Sequence, residues 1–595
     1  MPIKRNEVDE KNKWAIEDIY KTNELWEQDF KKLSDILPDL IKYKDSFTKD
    51  AKNLYDAFKA FEKAELLGER LYVYAKMKRD EDSADSLYQG MTDRALSLNI
   101  EMGSILSFIS PELLKKEESE LVGFLEEHEG LKKEYDYSIK NLLRRKPHVL
   151  SEKEEKLLSM SSEFATGAQQ IFTMLNNADM KFGKIDDDGV KKDLTHATYA
   201  VFMQSSNRET RRNAYEKLYG KYKENINTIA ATYSTSVKKD VYYAKARNHD
   251  SALSKALHSD NVPQNLYDNL ISAVHDNLPT MYEYIKLRKK VLKIEDLGMH
   301  DVYAPLVPEA KGIYDYKLAK DMVVRSLAPL GEDYLKLLDK SFNNGWVDVY
   351  ENEGKLSGAY SWGTYGVHPY VLLNHRGDLD SVYTLAHELG HAMHTWYSND
   401  SQFYAKSNYT IFVAEVASTV NEILLTKHLL KTETDIEKRK YILNHYIDQF
   451  KGTVIRQTMF AEFEKITHAM QEAGQPLTSD SLSEKYLELN KLYYGNDMDS
   501  DDNIAAEWAR IPHFYSAFYV YKYATGFSSA ITIVNSILKE GESAVNRYKD
   551  FLKSGGSDYP LELLKKAGVD LESGLPVEIC MKEFKRALEE FSTLF

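Results

Sequence analysis

Residues Asp378 to Ser398, DLDSVYTLAHELGHAMHTWYS, constrain this chain more than any other stretch. Val382, Leu385, Ala386, Leu389, Met393 and Trp396 follow helical spacing and form one apolar stripe that must face a core. Asp378 or Asp380 is placed to cap the helix N-terminus. Nearly opposite the stripe lie His387 and His391, with Thr384, His394, Thr395 and Ser398. Residues four apart on a helix sit one above the other, so both imidazoles can reach one metal ion. Glu388 is turned by about 100° from His387. It therefore stands beside the ion rather than on it, where a general base for a bound water belongs. The competing reading is a surface helix with two solvated histidines, and a third ligand decides between them.

A candidate follows after a loop over Asn399 to Asn408. Thr410 to Leu425, TIFVAEVASTVNEILL, is apolar almost all round and reads as a buried helix. Its polar residues Glu415, Ser418, Thr419 and Glu422 are spaced i, i+3, i+4, i+7 and make one line. Carboxylates on such a helix need a partner or a metal. Glu415, 24 residues after His391, is the expected third ligand. Glu422, two turns on, is expected to accept the free N–H of a ligand histidine. The alternative is a pair of interhelical salt bridges. His387, His391 and Glu415 together make the donor set of a catalytic zinc, one ion per chain, with the fourth position left for water.

The rest of the sequence sets bounds. Only 28 Gly and 14 Pro in 595 residues, with 29% charged residues, point to long helices in a soluble globular protein. A net charge of −15 argues against nucleic acid and against an anionic membrane surface as partners. Cys580 is the single cysteine, so neither an intrachain disulfide nor a multi-thiolate metal site can form. The N-terminus, MPIKRNEVDEKNKW, has no apolar signal region. The most apolar stretch, Phe527 to Leu538, is too short to span a membrane. These features predict a cytoplasmic protein and carry no signal of oligomeric state.

Along the chain, residues 1 to about 180 read as charged amphipathic helices, among them Asn53 to Leu66 and Glu69 through Leu106. No chemistry-bearing motif falls there, which by elimination suggests a covering role. Near Lys181 the pattern breaks, and Asp188-Gly189 between two short flanks predicts a β-hairpin. Helices resume from Thr198 to Val291, where Arg208, Arg211 and Arg212 read as a salt-bridged surface cluster. Leu297 to Gly312 reads as a loop, followed by a helical pair up to Asn344. Trp346 to Tyr350, Gly358 to Trp362 and Tyr370 to Asn374 then read as short strands. Their edge can hold an extended peptide as an added strand, or the sheet is a plain support.

Four segments, AHELGHAMH (Ala386 to His394), FVAEVASTVNE (Phe412 to Glu422), ARIPHFYSAFYVYKYATG (Ala509 to Gly526) and GAYSWGTYGVHPYVLLN (Gly358 to Asn374), resemble in order and spacing the oligoendopeptidase F family of the thimet-oligopeptidase superfamily. Weaker likeness runs through nearly the whole chain from KWAIEDIY at Lys13. The resemblance implies a mostly α-helical ellipsoid, zincin-type and neurolysin-like, with a deep substrate channel, zinc on its floor and a small β-sheet beside it. It implies an N-terminal helical domain, 1–180, over the channel. A catalytic domain, 181–595, would follow, with segment 198–344 in the channel wall. It also implies that unfolded oligopeptides are cleaved while folded proteins are shut out. His513 matches a transition-state histidine of the superfamily. For the accompanying tyrosine, the downstream aromatics favour Tyr521, with Tyr519 and Tyr523 as rivals, because Phe514 to Ala517 replace a Gly-rich loop. About half of the rings from Phe514 to Tyr523 are expected in the core.

The resulting expectation is a zinc-dependent endopeptidase acting on internal bonds of oligopeptides. Glu388 serves as general base, and His513 with a tyrosine donates to the oxyanion. A zinc carboxypeptidase or dipeptidyl carboxypeptidase remains open and needs a cationic clamp that the sequence does not reveal. A non-catalytic peptide-binding protein is the third reading, against which the intact Glu388 stands.

Overall fold

The structure is a computed structural model that describes residues 3–187, 189–308 and 312–595. It is mostly helical with two small sheets. Two compact units are built from interleaved segments. Unit 1 comprises Met1–Pro147, Lys311–His428 and Ile533–Val569; unit 2 comprises His148–Ala310, Leu429–Thr532 and Asp570–Phe595. No helix among the described residues is long and apolar enough to cross a membrane.

In unit 1, helix α1 (Ala51–Glu81) starts where the Asp50 side chain accepts the Asn53 N–H. Leu54, Ala57, Phe61, Ala64 and Leu71 recur at helical spacing and are buried. They pack on α2 (Ser86–Ile105). The long run expected from Glu69 to Leu106 is thus two helices, broken at Asp82 to Asp85.

The core around α1 and α2 also takes in Tyr370 and Leu372, which ties the segment before the His-Glu motif to the N-terminal helices. Strand β1 (Lys184–Asp187) and β2 (Val190–Asp193) form the expected hairpin of unit 2 with Asp187 opposite Val190. Gly189 sits at φ 84°, and Asp188 lies outside the described residues. Residues 309–311 of the expected loop lie outside them as well.

The sheet of unit 1 has the order β3 (Val347–Asp348), β5 (Tyr370–Leu372), β4 (Tyr360–Trp362). β3 runs parallel and β4 antiparallel to the buried central β5, with Ser361 opposite Val371. β4 is the half-exposed edge. Asp348 of β3 is buried, and its charge is met by Arg5 (2.5 Å) and Lys355 (2.7 Å). Those two cations outweigh the effect of burial and keep its pKa low. The sheet lies against α3 (Leu379–Ser401), the helix of the His-Glu motif. Asp378 caps that helix by accepting the Ser381 N–H at 2.8 Å.

Unit 2 has an aromatic core that includes Tyr215, Tyr219, Tyr233, Tyr267 and Trp508. Arg211 is a correction to the surface reading of the basic cluster. It is buried and pairs with buried Asp301 at 2.7 Å, while Arg208 grips the same carboxylate at 2.9 Å. A carboxylate held by two guanidinium groups stays charged despite burial, and its pKa is lowered.

Candidate metal centre and active site

Helix α4 (Ile411–Thr432) follows α3 in unit 1 and brings the third expected ligand to the two histidines. Gly390 makes the approach possible. A Cβ built on it would stand 2.5 Å from Ser418 Cα and 2.6 Å from the Ala417 carbonyl oxygen. The two backbones therefore touch at a point between His387 and His391. Asn421 then fixes the register, its amide donating to the Ala386 carbonyl at 3.0 Å in a buried setting.

With that register, His387 Nε2 and His391 Nε2 are 3.2 Å apart, and Glu415 Oε2 is 3.4 Å from each. Three donors around one tetrahedral zinc at about 2.1 Å stand about 3.4 Å from one another. The triangle already has the size that such an ion requires, and the two-imidazole, one-carboxylate donor set suits it. His387 Nδ1 donates to Glu422 Oε1 at 2.6 Å, which points Nε2 at the triangle. Ser418 Oγ donates to Glu415 Oε2 at 3.0 Å and orients that carboxylate.

Electrostatics concentrate at the same point. Burial alone would lower the His387 pKa, but the hydrogen bond and charge of Glu422, with Glu388 and Glu415, carry it up to about 9. Glu415 is held down to about 2, first by its hydrogen bond to His391. The first shift reflects the carboxylates gathered around His387, the second the two imidazoles beside Glu415. Glu415 departs from the buried-carboxylate reading, since its side chain is 47% exposed. Glu388 is buried, and burial raises its pKa against the opposing pull of His387 and His391.

Neighbouring histidines have other partners. His394 is buried, stacks on Tyr409 at 3.7 Å, and is pushed down to about 3 by burial. His375 hydrogen-bonds the Tyr314 carbonyl, and His368 stacks on Trp346.

The aromatic segment of the third motif belongs to unit 2. His513 is exposed at its ring, with Tyr523 Oη 3.4 Å from His513 Nε2. Tyr519 lies roughly parallel to the His513 ring at 6.2 Å and meets Tyr523 edge-on at 5.5 Å. Burial lowers the His513 pKa, with a smaller contribution from Arg456. Tyr521 faces the other way. It is 1% exposed and packs on Tyr267, and burial pushes its phenol far up. Phe514, Tyr515 and Phe518 are buried with it.

The description Peptidase family M3 matches residues 201–583, and the description Oligopeptidase F matches residues 112–182. The chain belongs to peptidase family M3. Over 592 residues it is 45% identical to oligopeptidase PepF of Bacillus subtilis (strain 168), covering 99% of this chain and 88% of that one. A solved Chlamydophila abortus chain, provisionally named a peptidase, superposes with a TM-score of 0.95 at 34% identity over all of both chains. The solved oligoendopeptidase-F of Enterococcus faecium superposes with a TM-score of 0.74 at 35% identity, over 96% of this chain and 99% of that one. M3 is a family of metallopeptidases, and this member is a metalloendopeptidase.

In this M3 chain, sequence reasoning missed three supports. Gly390 and Asn421 lie inside motifs already singled out, and the only available signal was a glycine in a helix interior, which asks for a packing reason. The third is Glu464 on α5 (Arg456–Glu472), fully buried in unit 2. Its Oε1 accepts the Phe518 N–H at 3.0 Å, holding Phe518 at φ 57° between His513 and Tyr519. Burial raises the pKa of this Glu464 latch far above the usual range. A lone Glu in an amphipathic helix gives no hint of this.

Proposed function

We propose that the chain is a zinc-dependent oligoendopeptidase, with zinc held by His387, His391 and Glu415. The observation that carries this reading is the 3.2, 3.4 and 3.4 Å triangle of donor atoms. When bound, zinc supplies Lewis acidity toward the scissile carbonyl and acidifies water. Glu388, buried and with a raised pKa, takes the proton of the attacking water and delivers it to the leaving amine. Glu422 keeps His387 in the ligating tautomer through the 2.6 Å hydrogen bond.

His513 and a tyrosine donate hydrogen bonds to the developing oxyanion. For that tyrosine we favour Tyr523 or Tyr519 over Tyr521. The first two flank the exposed His513 ring, whereas Tyr521 is packed on Tyr267.

The substrate is an extended oligopeptide that adds to the free edge of β4. A cavity of about 410 Å³ supports this, lined by Gly358 and Ala359 before the strand and by Asp380 and Thr384 on α3. Thr384 stands one turn before His387, so a chain lying there passes the donor triangle. The names of the relatives, oligopeptidase and oligoendopeptidase, support the oligopeptide class.

The test is digestion of an N-acetylated, C-terminally amidated peptide of about ten residues, followed by mass spectrometry. Internal cleavage that a chelator abolishes and zinc restores is expected. A peptide left intact when amidated but trimmed from a free C-terminus would replace the endopeptidase with a carboxypeptidase.

A further inference from the structure

A second cluster of metal-ligating side chains lies in unit 2, outside everything assigned above. His148 is the first residue of that unit. His249 sits in the turn after the helix Ile226–Ala246, and His258 ends the helix Ala252–His258. One ring nitrogen from each lies within 4.8 Å of the other two. The His148 ring stacks on His249 at 3.6 Å and meets His258 edge-on at 4.5 Å. All three residues are half-buried and so reachable from solvent.

One contact prepares these rings as ligands. His148 Nδ1 donates to the Arg247 carbonyl at 2.8 Å, which leaves its Nε2 lone pair directed away from the backbone. Lys255 and Arg247 are neighbouring cations of His249. Those cations do not exclude a metal. Arg247 is neutralised by Glu155 through two hydrogen bonds of 2.7 and 2.8 Å, and Lys255 and His249 face the carboxylates of Asp240 and Asp250 respectively.

Stacked rings carry parallel lone pairs, so one ring must leave the stack for all three to converge. Donors around a tetrahedral zinc stand about 3.4 Å apart, and the largest closure required is therefore about 1.4 Å. The site therefore requires the His249 side chain to turn out of the stack. Three imidazoles without carboxylate or thiolate select a late first-row divalent ion over calcium or magnesium.

We propose that His148, His249 and His258 form a second metal site, specific for a divalent transition ion such as zinc. Bound there, the ion clamps the chain at residue 148 to the turn at His249 and so stiffens the beginning of unit 2. The site is separate from the His387 centre and does not depend on the peptidase reading.

The test uses the full chain, stripped of metal and dialysed against zinc chloride alone, with bound zinc counted by elemental analysis. The wild type is expected to hold two equivalents. The variant His387→Ala/His391→Ala and the variant His249→Gln/His258→Gln are each expected to hold one. Only the latter should keep peptide cleavage and lose the second zinc-dependent rise in Tm. A wild-type chain whose single equivalent is lost in His387→Ala/His391→Ala would overturn the proposal, and so would zinc binding that is unchanged by His249→Gln/His258→Gln. Should that double variant not fold, His258→Gln alone, at the end of its helix, reads the same loss.

Discussion

The donor triangle of unit 1 and the aromatic segment of unit 2 carry the two halves of the proposed chemistry, and they are built in opposite ways. The triangle comes from two regular helices whose phase is set by spacing and whose separation is set by one glycine. The segment from His513 to Tyr523 comes from a turn that breaks helical phase at Phe518, held in a left-handed conformation by a buried acid. Regular elements transmit position over several turns, so a ligand seven or more residues from a contact is still correctly aimed. A strained turn transmits nothing, and each side chain after it must be located individually.

The largest expected effect separates chemistry from architecture within the triangle. Glu388→Gln should retain zinc and lose about 10²–10⁴-fold in kcat, measured on a blocked peptide with metal content assayed in parallel. Retention of rate would remove Glu388 from proton transfer. Gly390→Ala tests the architecture. Its new methyl meets the Ser418 and Ala417 backbone, which cannot yield as a side chain can. The helices should part, with zinc affinity lowered and stability reduced by about 1–3 kcal/mol in denaturant unfolding. A variant with unchanged affinity would mean that the close approach does not set the triangle.

On the other side of the comparison, Tyr523→Phe should lower kcat by about 10²-fold, the scale of one lost oxyanion donor, with little change in stability. Tyr521→Phe should instead leave kcat near that of the wild type. The reverse pattern would return the role to Tyr521. The smallest effect concerns the latch. Glu464 has a folded-state pKa raised above its unfolded value, so its contribution to stability is full below about pH 4.5 and declines as pH rises toward the folded pKa. Glu464→Gln keeps a neutral acceptor for the Phe518 N–H. Its unfolding free energy should therefore fall less steeply with pH above about 4.5. Parallel pH profiles for the two proteins would show that the acid is not neutral when folded.

How far this was legible follows from the same contrast. The cap at Asp378, the face shared by His387 and His391, and the line from Glu415 to Glu422 all rest on helical periodicity, which local sequence reports well. The tie between His387 and Glu422 needed only two such lines to face each other. The Gly390 contact was not legible, because a helix-interior glycine does not name its neighbour. The burial of Arg211 depends on Asp301, 90 residues away in sequence. Tyr521 was favoured by alignment of aromatics, but the turn at Phe518 shifts the phase and sends Tyr519 and Tyr523 to the His513 side. His148, His249 and His258 have no common period, and only the tertiary fold gathers them.

The central claim is that a single zinc ion joins α3 to α4. Anomalous X-ray scattering at the zinc edge from crystals of the chain grown with zinc tests it most directly. The account predicts a peak about 2.0–2.2 Å from His387 Nε2, His391 Nε2 and a Glu415 carboxylate oxygen. Crystals that hold zinc elsewhere while this triangle stays empty would contradict it.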